Sequence, residues 1–248
     1  MNRILKFILI GTVLLLAGLA LASPPVALAG SGQAVSRDYA WSSDSLTLEV
    51  PADLHFRPGA SWHLTIRAPE RVLGQLVVEH GVIKARRSGC FSLVPFCIGY
   101  GSHIDQRVHI ELTGPALRSI RLEGAGDIDL DGLHQDRLML TLEGSSTVRG
   151  SGTVSSASLK IDGAGNIHLA RLTETRAQVI IHGSGTVDIA PTDSVSVHID
   201  GAGTVRLHSD PPHVTSHIFG AGDVIKVGAS PPAAAHAVAG AINTPAGS

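Results

Sequence analysis

The chain has 248 residues, a formal net charge of −2 at pH 7 and 44% hydrophobic residues. This charge argues against a protein that binds nucleic acid through an excess of lysine and arginine. The length is enough for one large domain with a hydrophobic core. Aromatic residues make up only 4% of the chain, so few side chains could stack on a ligand.

Residues 1–29 are predicted to be a secretory signal peptide. Arg3 and Lys6 precede an apolar run, and small-residue cleavage sequences follow at Ala20–Ala22 and Ala27–Ala29. This order of features is that of a signal peptide. It predicts an exported protein, located in the periplasm, at the cell surface or outside the cell. An uncleaved membrane anchor is the alternative, because the apolar run approaches the length that spans a bilayer.

A linker is expected at residues 30–43, followed by a single β domain at residues 44–227. The first part of this domain, residues 44–119, contains segments with the apolar and polar alternation of strands. These segments are Ser45–Val50, Asp53–Arg57, Ser61–Arg67, Leu76–Glu79, Val82–Arg86 and Arg107–Leu112. We expect irregular strands that cover one end of the domain, because an open sheet edge would pair with other chains.

Cys90 and Cys97 lie in the sequence CFSLVPFC and are the only cysteines of the chain. Two cysteines this close together in an exported chain predict a disulfide that closes a small loop. A redox-active pair is the alternative, but such pairs need lowered thiol pKa values and usually a shorter spacing.

Six copies of one short sequence fill most of residues 120–227. They read IRLEGAGDIDL, LTLEGSSTVRG, LKIDGAGNIHL, VIIHGSGTVDI, VHIDGAGTVRL and SHIFGAGDVIK. Their first glycines are Gly124, Gly144, Gly163, Gly183, Gly201 and Gly220, at spacings of 20, 19, 20, 18 and 19 residues. A near-constant period of this length is typical of a solenoid, in which each unit buries its apolar face against its neighbours.

Each copy predicts a strand, a tight corner and a second strand. Branched aliphatic residues occupy the positions two before and four after the first glycine, as Leu122 and Ile128 do in the first copy. The position four before is apolar in every copy except the last, where it is Ser216. Because strand residues alternate between faces, these positions predict the core. The Gly-Ala-Gly sequence predicts the corner, since glycine permits positive φ and close backbone approach.

The predicted fold is therefore an all-β, right-handed parallel β-helix. It would have about six regular coils of about 19 residues, after the irregular capping strands. The right hand follows from the handedness of crossover connections. The last copy departs from the pattern with Phe219 and Lys226, as suits a terminal coil that meets water. The Ala-, Pro- and Gly-rich residues 228–248 are expected to be a disordered tail.

The repeated sequence, its lead-in LTGPALRSIRLEGAGDIDL and the opening SLTLEVPADLHFRPG resemble the GIN-domain family, the "putative autotransporter adhesin head" domain of exported bacterial proteins. The resemblance covers the chain from about Ser43 to Val227. It implies an exported β-helical domain with an adhesin-like role, and it supplies no catalytic motif. The CFSLVPFC insertion and the histidine-rich final copies depart from the family pattern.

The position just before the first glycine, which we call the acidic column, is the strongest candidate for a binding or metal site. It holds Glu123, Glu143, Asp162, His182 and Asp200. Stacked coils would place neighbouring carboxylates about 5 Å apart, where like charges repel. A calcium ion could relieve this repulsion. We favour neutralisation by the basic residues two positions earlier, Arg121, Lys160 and His198, and so assign no metal and no cofactor.

Three further patterns give weaker site candidates. The position five after the glycine, which we call the alternating column, holds Asp129, Arg149, His168, Asp188 and Arg206. It predicts ion pairs of Asp129 with Arg149 and of Asp188 with Arg206. The sequence GAGDIDLDG is similar to the calcium-binding nonapeptide of toxin-type β-rolls, but those repeats return every nine residues. Near one end lie His198, His208, His213 and His217, which lack metal-ligand spacing and are expected at the surface.

The sequence predicts an exported non-enzymatic protein with a role in adhesion, interaction or envelope structure, because no catalytic constellation emerges. The alternatives are a polysaccharide-active enzyme and a cation-binding envelope protein, both using the acidic column. The sequence does not favour a carbohydrate site built on aromatic stacking. Only Trp41 and Trp62 could serve, Trp62 is expected in the core, and the place of Trp41 is left open. The expected partner is an envelope component, a glycan or a protein, and an exposed end coil could stack on another copy.

Overall fold

Strands make up nearly all of the regular structure in a computed structural model of the protein. It describes residues 33–86, 104 and 106–227, and the backbone alone of residues 90–93 and 96–99. The predicted signal peptide and the predicted tail lie outside the described residues. The all-β class is confirmed. Within the described residues, no helix has the length and hydrophobicity of a membrane span.

The elements follow one another in the order strand, strand, strand, strand, helix and then strands to the end. They are β1 (Ala34–Tyr39), β2 (Ser45–Leu48), β3 (Ala52–Pro58), β4 (His63–Pro69), α1 (Glu70–Leu73), β5 (Leu76–Glu79), β6 (Val82–Ala85), β7 (Cys90–Leu93), β8 (Phe96–Gly99), β9 (Val108–Gly114), β10 (Ser119–Leu207), β11 (His213–Gly220) and β12 (Asp223–Lys226). Ten strands form one sheet, which curls until it nearly closes on itself. The remaining two, β7 and β8, pair with each other.

The corners of the six copies lie directly on one another. The long strand β10 contains the first five copies, and β11 and β12 form the sixth. All six corner glycines have positive φ, from 120° to 133°. A Cβ atom on Gly144 would lie 2.3 Å from the carbonyl oxygen of Gly124. Equally close backbone contacts, of 2.2 to 2.7 Å, recur at the later corners Gly163, Gly183, Gly201 and Gly220. A side chain at any of these five glycines would therefore collide with the backbone of the preceding corner.

The sixth copy pairs with the fifth as parallel strands. The register joins Ser194 to His213 and Gly201 to Gly220, so the copies align corner to corner. Parallel pairing of whole copies is what stacking of repeats requires. That the copies wind as a regular right-handed parallel β-helix stays a prediction.

The core lies at the three positions predicted from the sequence. In the first copy, Ile120, Leu122 and Ile128 are at most 1% exposed. Their counterparts in copies two to five are equally buried: Leu140, Leu142, Val148, Leu159, Ile161, Ile167, Val179, Ile181, Val187, Val197, Ile199 and Val205. The connecting stretches add a row of buried residues that the repeat pattern did not predict, among them Leu133, Val154 and Leu172.

The six strands predicted before residue 119 are all present, but four of them continue the parallel stack instead of covering it irregularly. Strands β2 and β3 pair in parallel with the first copy, Ser45 opposite Ser119 and Ala52 opposite Gly126. The opening SLTLEVPADLHF is therefore a further copy whose corner reads Val-Pro-Ala instead of Gly-Ala-Gly. Strands β6 and β9 stack on it in parallel.

Antiparallel strands then end the stack. Strand β5 pairs with β6, β4 pairs with β9, and β1 pairs with β4. The prediction of a linker at residues 30–43 was wrong, because β1 lies within it. The residues of β1 are almost all exposed. Its sequence therefore lacks the alternation of buried apolar and exposed polar residues by which strands are predicted. The short helix α1 was not predicted either.

The CFSLVPFC insertion lies between β6 and β9 and contains the hairpin of β7 and β8. Its register places Cys90 opposite Gly99 and Ser92 opposite Cys97. The two cysteines are thus diagonal neighbours in the strand pair, not directly opposed. Their side chains lie outside the described residues, so the disulfide stays a prediction.

At the other end of the stack the apolar residues of the last copy are exposed. All eight residues of β11 are exposed, and Phe219 reaches 63%. Val214 and Ile218 occupy core positions of the register, yet they are also exposed. The prediction that the last copy meets water is confirmed.

Replacement of a corner glycine tests the stacking. Gly124→Ala should cost about 1–3 kcal/mol through backbone strain alone, because nothing lies within 4 Å of its Cβ position. Gly144→Ala should cost more, since its Cβ would also collide with the Gly124 carbonyl. Urea unfolding of both variants measures the difference. Gly165→Ala is the control, because its φ is not positive and its Cβ would make ordinary contacts. Equal losses at Gly124 and Gly144 would contradict this account.

Candidate functional site

The acidic column is neutralised at its start by one guanidinium. Arg121 Nε lies 2.8 Å from Glu123 Oε1, and its Nη2 lies 2.6 Å from Glu143 Oε1. Arg121 thus joins the carboxylates of two neighbouring copies, as the sequence predicted. Its pKa is raised, first by the hydrogen bond to Glu123 and then by the charge of Glu143.

The next acid of the column, Asp162, is also paired. Lys160 Nζ lies 2.6 Å from one of its oxygens and His182 Nδ1 lies 2.7 Å from the other. These contacts, led by the hydrogen bond from Lys160, lower the pKa of Asp162. His182 belongs to the acidic column itself, so one member of the column neutralises another.

His198 does not neutralise Asp200, in contrast to the prediction. Its ring packs edge-on against the ring of His182, at a centroid distance of 6.4 Å, and against Phe219 at 5.6 Å. No ion pair of Asp200 is found among the described residues. The same part of the chain holds no group of three His, Cys, Asp or Glu side chains that could bind a metal ion. It brings no cation site together at Glu123, Glu143, Asp162 and Asp200.

The alternating column contains both predicted ion pairs, at long distance. Arg149 Nη1 lies 3.9 Å from Asp129 Oδ1, and Arg206 Nη1 lies 3.8 Å from Asp188 Oδ1. The pair of Asp129 with Arg149 is exposed, and exposed pairs contribute about 0–1 kcal/mol. They can align neighbouring copies without adding much stability.

Two histidines bind Asp188 more closely than Arg206 does. His168 Nδ1 lies 2.7 Å from Oδ2 and His208 Nε2 lies 3.1 Å from Oδ1. Asp188 is only 8% exposed, and burial alone would raise its pKa. The hydrogen bonds from His168 and His208 outweigh this effect, so its pKa is lowered. One carboxylate therefore ties together three successive copies.

A comparable contact joins the N-terminal strands to the first copy. Arg107 Nη1 lies 2.9 Å from Asp53 Oδ1 and 2.9 Å from Asp127 Oδ2. Its pKa is raised, first by the hydrogen bond to Asp127. Asp53 and Asp127 occupy the same position after the corner in neighbouring copies, so Arg107 neutralises a repulsion that stacking creates.

Glu174 is a buried carboxyl group that was not among the predicted site residues. It is 0% exposed. Its Oε1 accepts a hydrogen bond from the Ala190 N–H at 3.1 Å, while Oε2 has no partner among the described residues. Burial raises its pKa to about 8. The burial of Glu174 could have been predicted from the sequence. Glu174 follows the buried Leu172 by two residues, and strand residues two apart lie on the same face.

The comparisons with known proteins give one family. The family model described as "Putative auto-transporter adhesin, head GIN domain" matches residues 44–211. A search of curated proteins finds no match.

Solved structures of similar proteins come from species of Bacteroides and Parabacteroides. A "putative adhesin" from Bacteroides fragilis is 18% identical, with a TM-score of 0.56 over 79% of this chain and 97% of its own. A "putative lipid binding protein" from Parabacteroides distasonis is 20% identical, with a TM-score of 0.44 over 80% of this chain and 98% of its own. The first of these shows a similar fold.

Removal of the Asp188 charge should destabilise the stack. Asp188→Asn removes the charge and leaves one acceptor oxygen for two histidines, so we expect a loss of about 1.5–3 kcal/mol at pH 7. Asp129→Asn is the matched control from the same column. It should change the free energy of unfolding by less than about 0.5 kcal/mol, because its pair is exposed and long. Urea unfolding compares the two variants, and similar losses would refute a special role for Asp188.

Glu174 predicts a pH dependence of stability. Its carboxyl ionises near pH 4.3 in the unfolded chain but only near pH 8 in the folded one. The unfolded chain therefore gains by ionisation between these values, and stability should fall by up to about 1.4 kcal/mol per pH unit. Glu174→Gln should remove this fall and be more stable than the parent at pH 8. The urea midpoints of the parent and of Glu174→Gln at pH 5 and pH 8 measure this fall in stability. If Glu174→Gln showed the same pH dependence as the parent, the prediction would be wrong.

Proposed function

Because the chain belongs to the GIN-domain family, we propose that it is an exported, non-enzymatic protein that acts in adhesion or interaction. The proposed contact surface is the row of outward side chains along the stacked copies, which comprises the acidic and the alternating columns. The observation that carries this proposal is the pairing of charges between copies. This pairing holds the polar side chains of neighbouring copies in a regular arrangement, on the outside of a core of aliphatic side chains.

The finer architecture is part of the same proposal. We propose that the copies form a right-handed parallel β-helix. The close approach of successive corner glycines supports it, as does the parallel register of the first and last copies with their neighbours. Such a solenoid offers an extended surface instead of a deep cleft, which suits binding of a large partner.

Three of the four carboxylates of the acidic column, which an enzyme or a cation site would use, are already paired with basic groups. Glu123 and Glu143 share Arg121, and Asp162 is held by two basic groups. A general acid or a calcium ligand would have to break these contacts first. The pairing thus favours the interaction role over both alternatives.

The proposed partner is an envelope component, a glycan or a protein, and not a nucleic acid. A second copy of the chain is a further proposed partner, stacked end to end on the last copy. The exposed core positions Val214 and Ile218 support this, because a parallel edge that continues the stack lies open there.

Removal of charge from the polar surface tests the interaction role. The double variant Arg149→Ser and Arg206→Ser takes two guanidinium groups from the alternating column. We expect weaker binding to whole cells, isolated envelope polysaccharide or envelope proteins, with an unfolding free energy within about 1 kcal/mol of the parent. Immobilised-ligand binding and urea unfolding are the two measurements.

Arg37→Ser in β1 is the matched control. It removes an exposed, ion-paired arginine from outside the repeats, and binding should not change. If the parent chain binds none of these materials while it turns over a glycan substrate, the proposal is overturned.

A further inference from the structure

A pocket of about 650 Å³ opens between the N-terminal strands and the first copy. This volume lies within the range of small-molecule sites. Four separate segments build its wall: the chain between β1 and β2, the residue before β4, the turn between β5 and β6, and the chain between β9 and β10. They contribute Ser42, Ser43, Asp44, Trp62, His80, Pro115, Ala116 and Arg118.

The aromatic part of the wall is Trp62. The sequence predicted this residue in the core, and the structure bears this out in part, because Trp62 packs against the core without being fully buried. Its indole ring is only partly buried and lines the pocket. The ring lies against the backbone at the end of β9, where a Cβ on Gly114 would be 2.0 Å from Trp62 Cε3. Glycine at this position therefore lets the ring settle in place while part of it stays open to solvent.

The polar part of the wall is an ion pair. Asp44 Oδ2 lies 2.8 Å from Arg118 Nη1, and both side chains are about half exposed. The Arg118 backbone N–H also donates to the Asp44 carbonyl oxygen, at 2.8 Å. Side chain and backbone thus hold the two residues together, and both keep hydrogen-bonding capacity toward the pocket.

The segment before Asp44 is held by its own hydrogen bonds. Trp41 Nε1 donates to the Ser43 carbonyl oxygen at 2.7 Å, and the Ser43 hydroxyl donates to the Ser45 carbonyl oxygen at 2.9 Å. A wall fixed in this way loses little conformational entropy when a ligand arrives. The pocket is therefore preformed.

The charges of the pocket decide which ligands it fits. The Asp44 carboxylate cancels the Arg118 guanidinium, so neither an anion nor a cation gains from the site as a whole. A carboxylate beside a guanidinium instead offers an acceptor next to a donor, which matches neighbouring hydroxyl groups. The negative face of an aromatic ring attracts C–H groups. A sugar ring carries both features, with hydroxyl groups at its rim and C–H groups on its faces.

We propose that this pocket binds a neutral saccharide, whose C–H face packs on Trp62 and whose hydroxyl groups bond to Asp44 and Arg118. The inference names a ligand class for the proposed adhesion role and rests on that role. It adds a second binding locus, separate from the acidic and alternating columns.

The experiment titrates the full chain with neutral sugars: glucose, galactose, N-acetylglucosamine, lactose and cellobiose. Glucuronate and galactose 6-sulfate are the charged comparators. Calorimetry and tryptophan fluorescence report binding. We expect saturable binding of at least one neutral sugar, weakened at least about tenfold by Trp62→Ala through the lost ring contact. Arg118→Gln should also weaken it, and Trp62→Phe should retain part of it because a ring remains.

Ile225→Ala is the control, since it removes an exposed apolar side chain from the last copy, away from the pocket, and it should bind like the parent. Thermal unfolding checks each variant. If Trp62→Ala fails to fold, Arg118→Gln and Trp62→Phe decide. Absence of binding by every neutral sugar, binding of charged sugars alone, or undiminished binding by a folded Trp62→Ala would each overturn the inference.

The two proposals fail separately. If the sugars do not bind but the Arg149 and Arg206 double variant still loses adhesion, only the pocket assignment falls. If sugars bind and the double variant adheres like the parent, the pocket stands and the polar surface is not the contact. If neither sugar binding nor adhesion occurs, both proposals fall.

Discussion

The contact of one corner backbone with the next is the constraint on which the rest of the structure depends. At Gly144 and its later counterparts, the space that a Cβ would need is filled by the carbonyl group of the preceding corner. Positive φ excludes other residues for a second reason. Because the corners must touch, the copies keep a common register. That register then aligns every other position, aliphatic with aliphatic inside and polar with polar outside.

Alignment has an electrostatic cost, and the chain offsets it locally. A repeated acid becomes a row of like charges as soon as copies stack. Arg121, Arg107 and Asp188 show one solution, in which a single charged group contacts partners on two or more copies. Arg121 and Arg107 each offset the repulsion between two carboxylates, and all three groups hold copies together. The most buried of these acids, Asp188, is also the one with the most basic neighbours, as the cost of burying a charge requires.

The core and the corners could be read from the sequence because they depend on residues a fixed distance from a glycine. Ile120, Leu122 and Ile128 are such residues. The copy at residues 45–56 escaped notice because Val-Pro-Ala replaces its corner, although Asp53 still matches Asp127. The contact of Asp188 with His208 could not be predicted from columns. His208 lies seven residues after its corner glycine and His168 only five, so side-chain reach and not register brings them together.

The pocket beside Trp62 could not be predicted either, because four segments distant in sequence build it and none carries a motif.

The two ends of the stack differ in their capacity to associate with another molecule. Antiparallel strands close one end, and β1 there carries Arg37 and Asp38, whose charges oppose strand pairing. The opposite end exposes Val214, Ile218 and Phe219. If two molecules associate through their last copies, as proposed above, the contact relates them by a twofold axis. Each such contact uses the open ends of both molecules, so growth along the stack would stop at a pair.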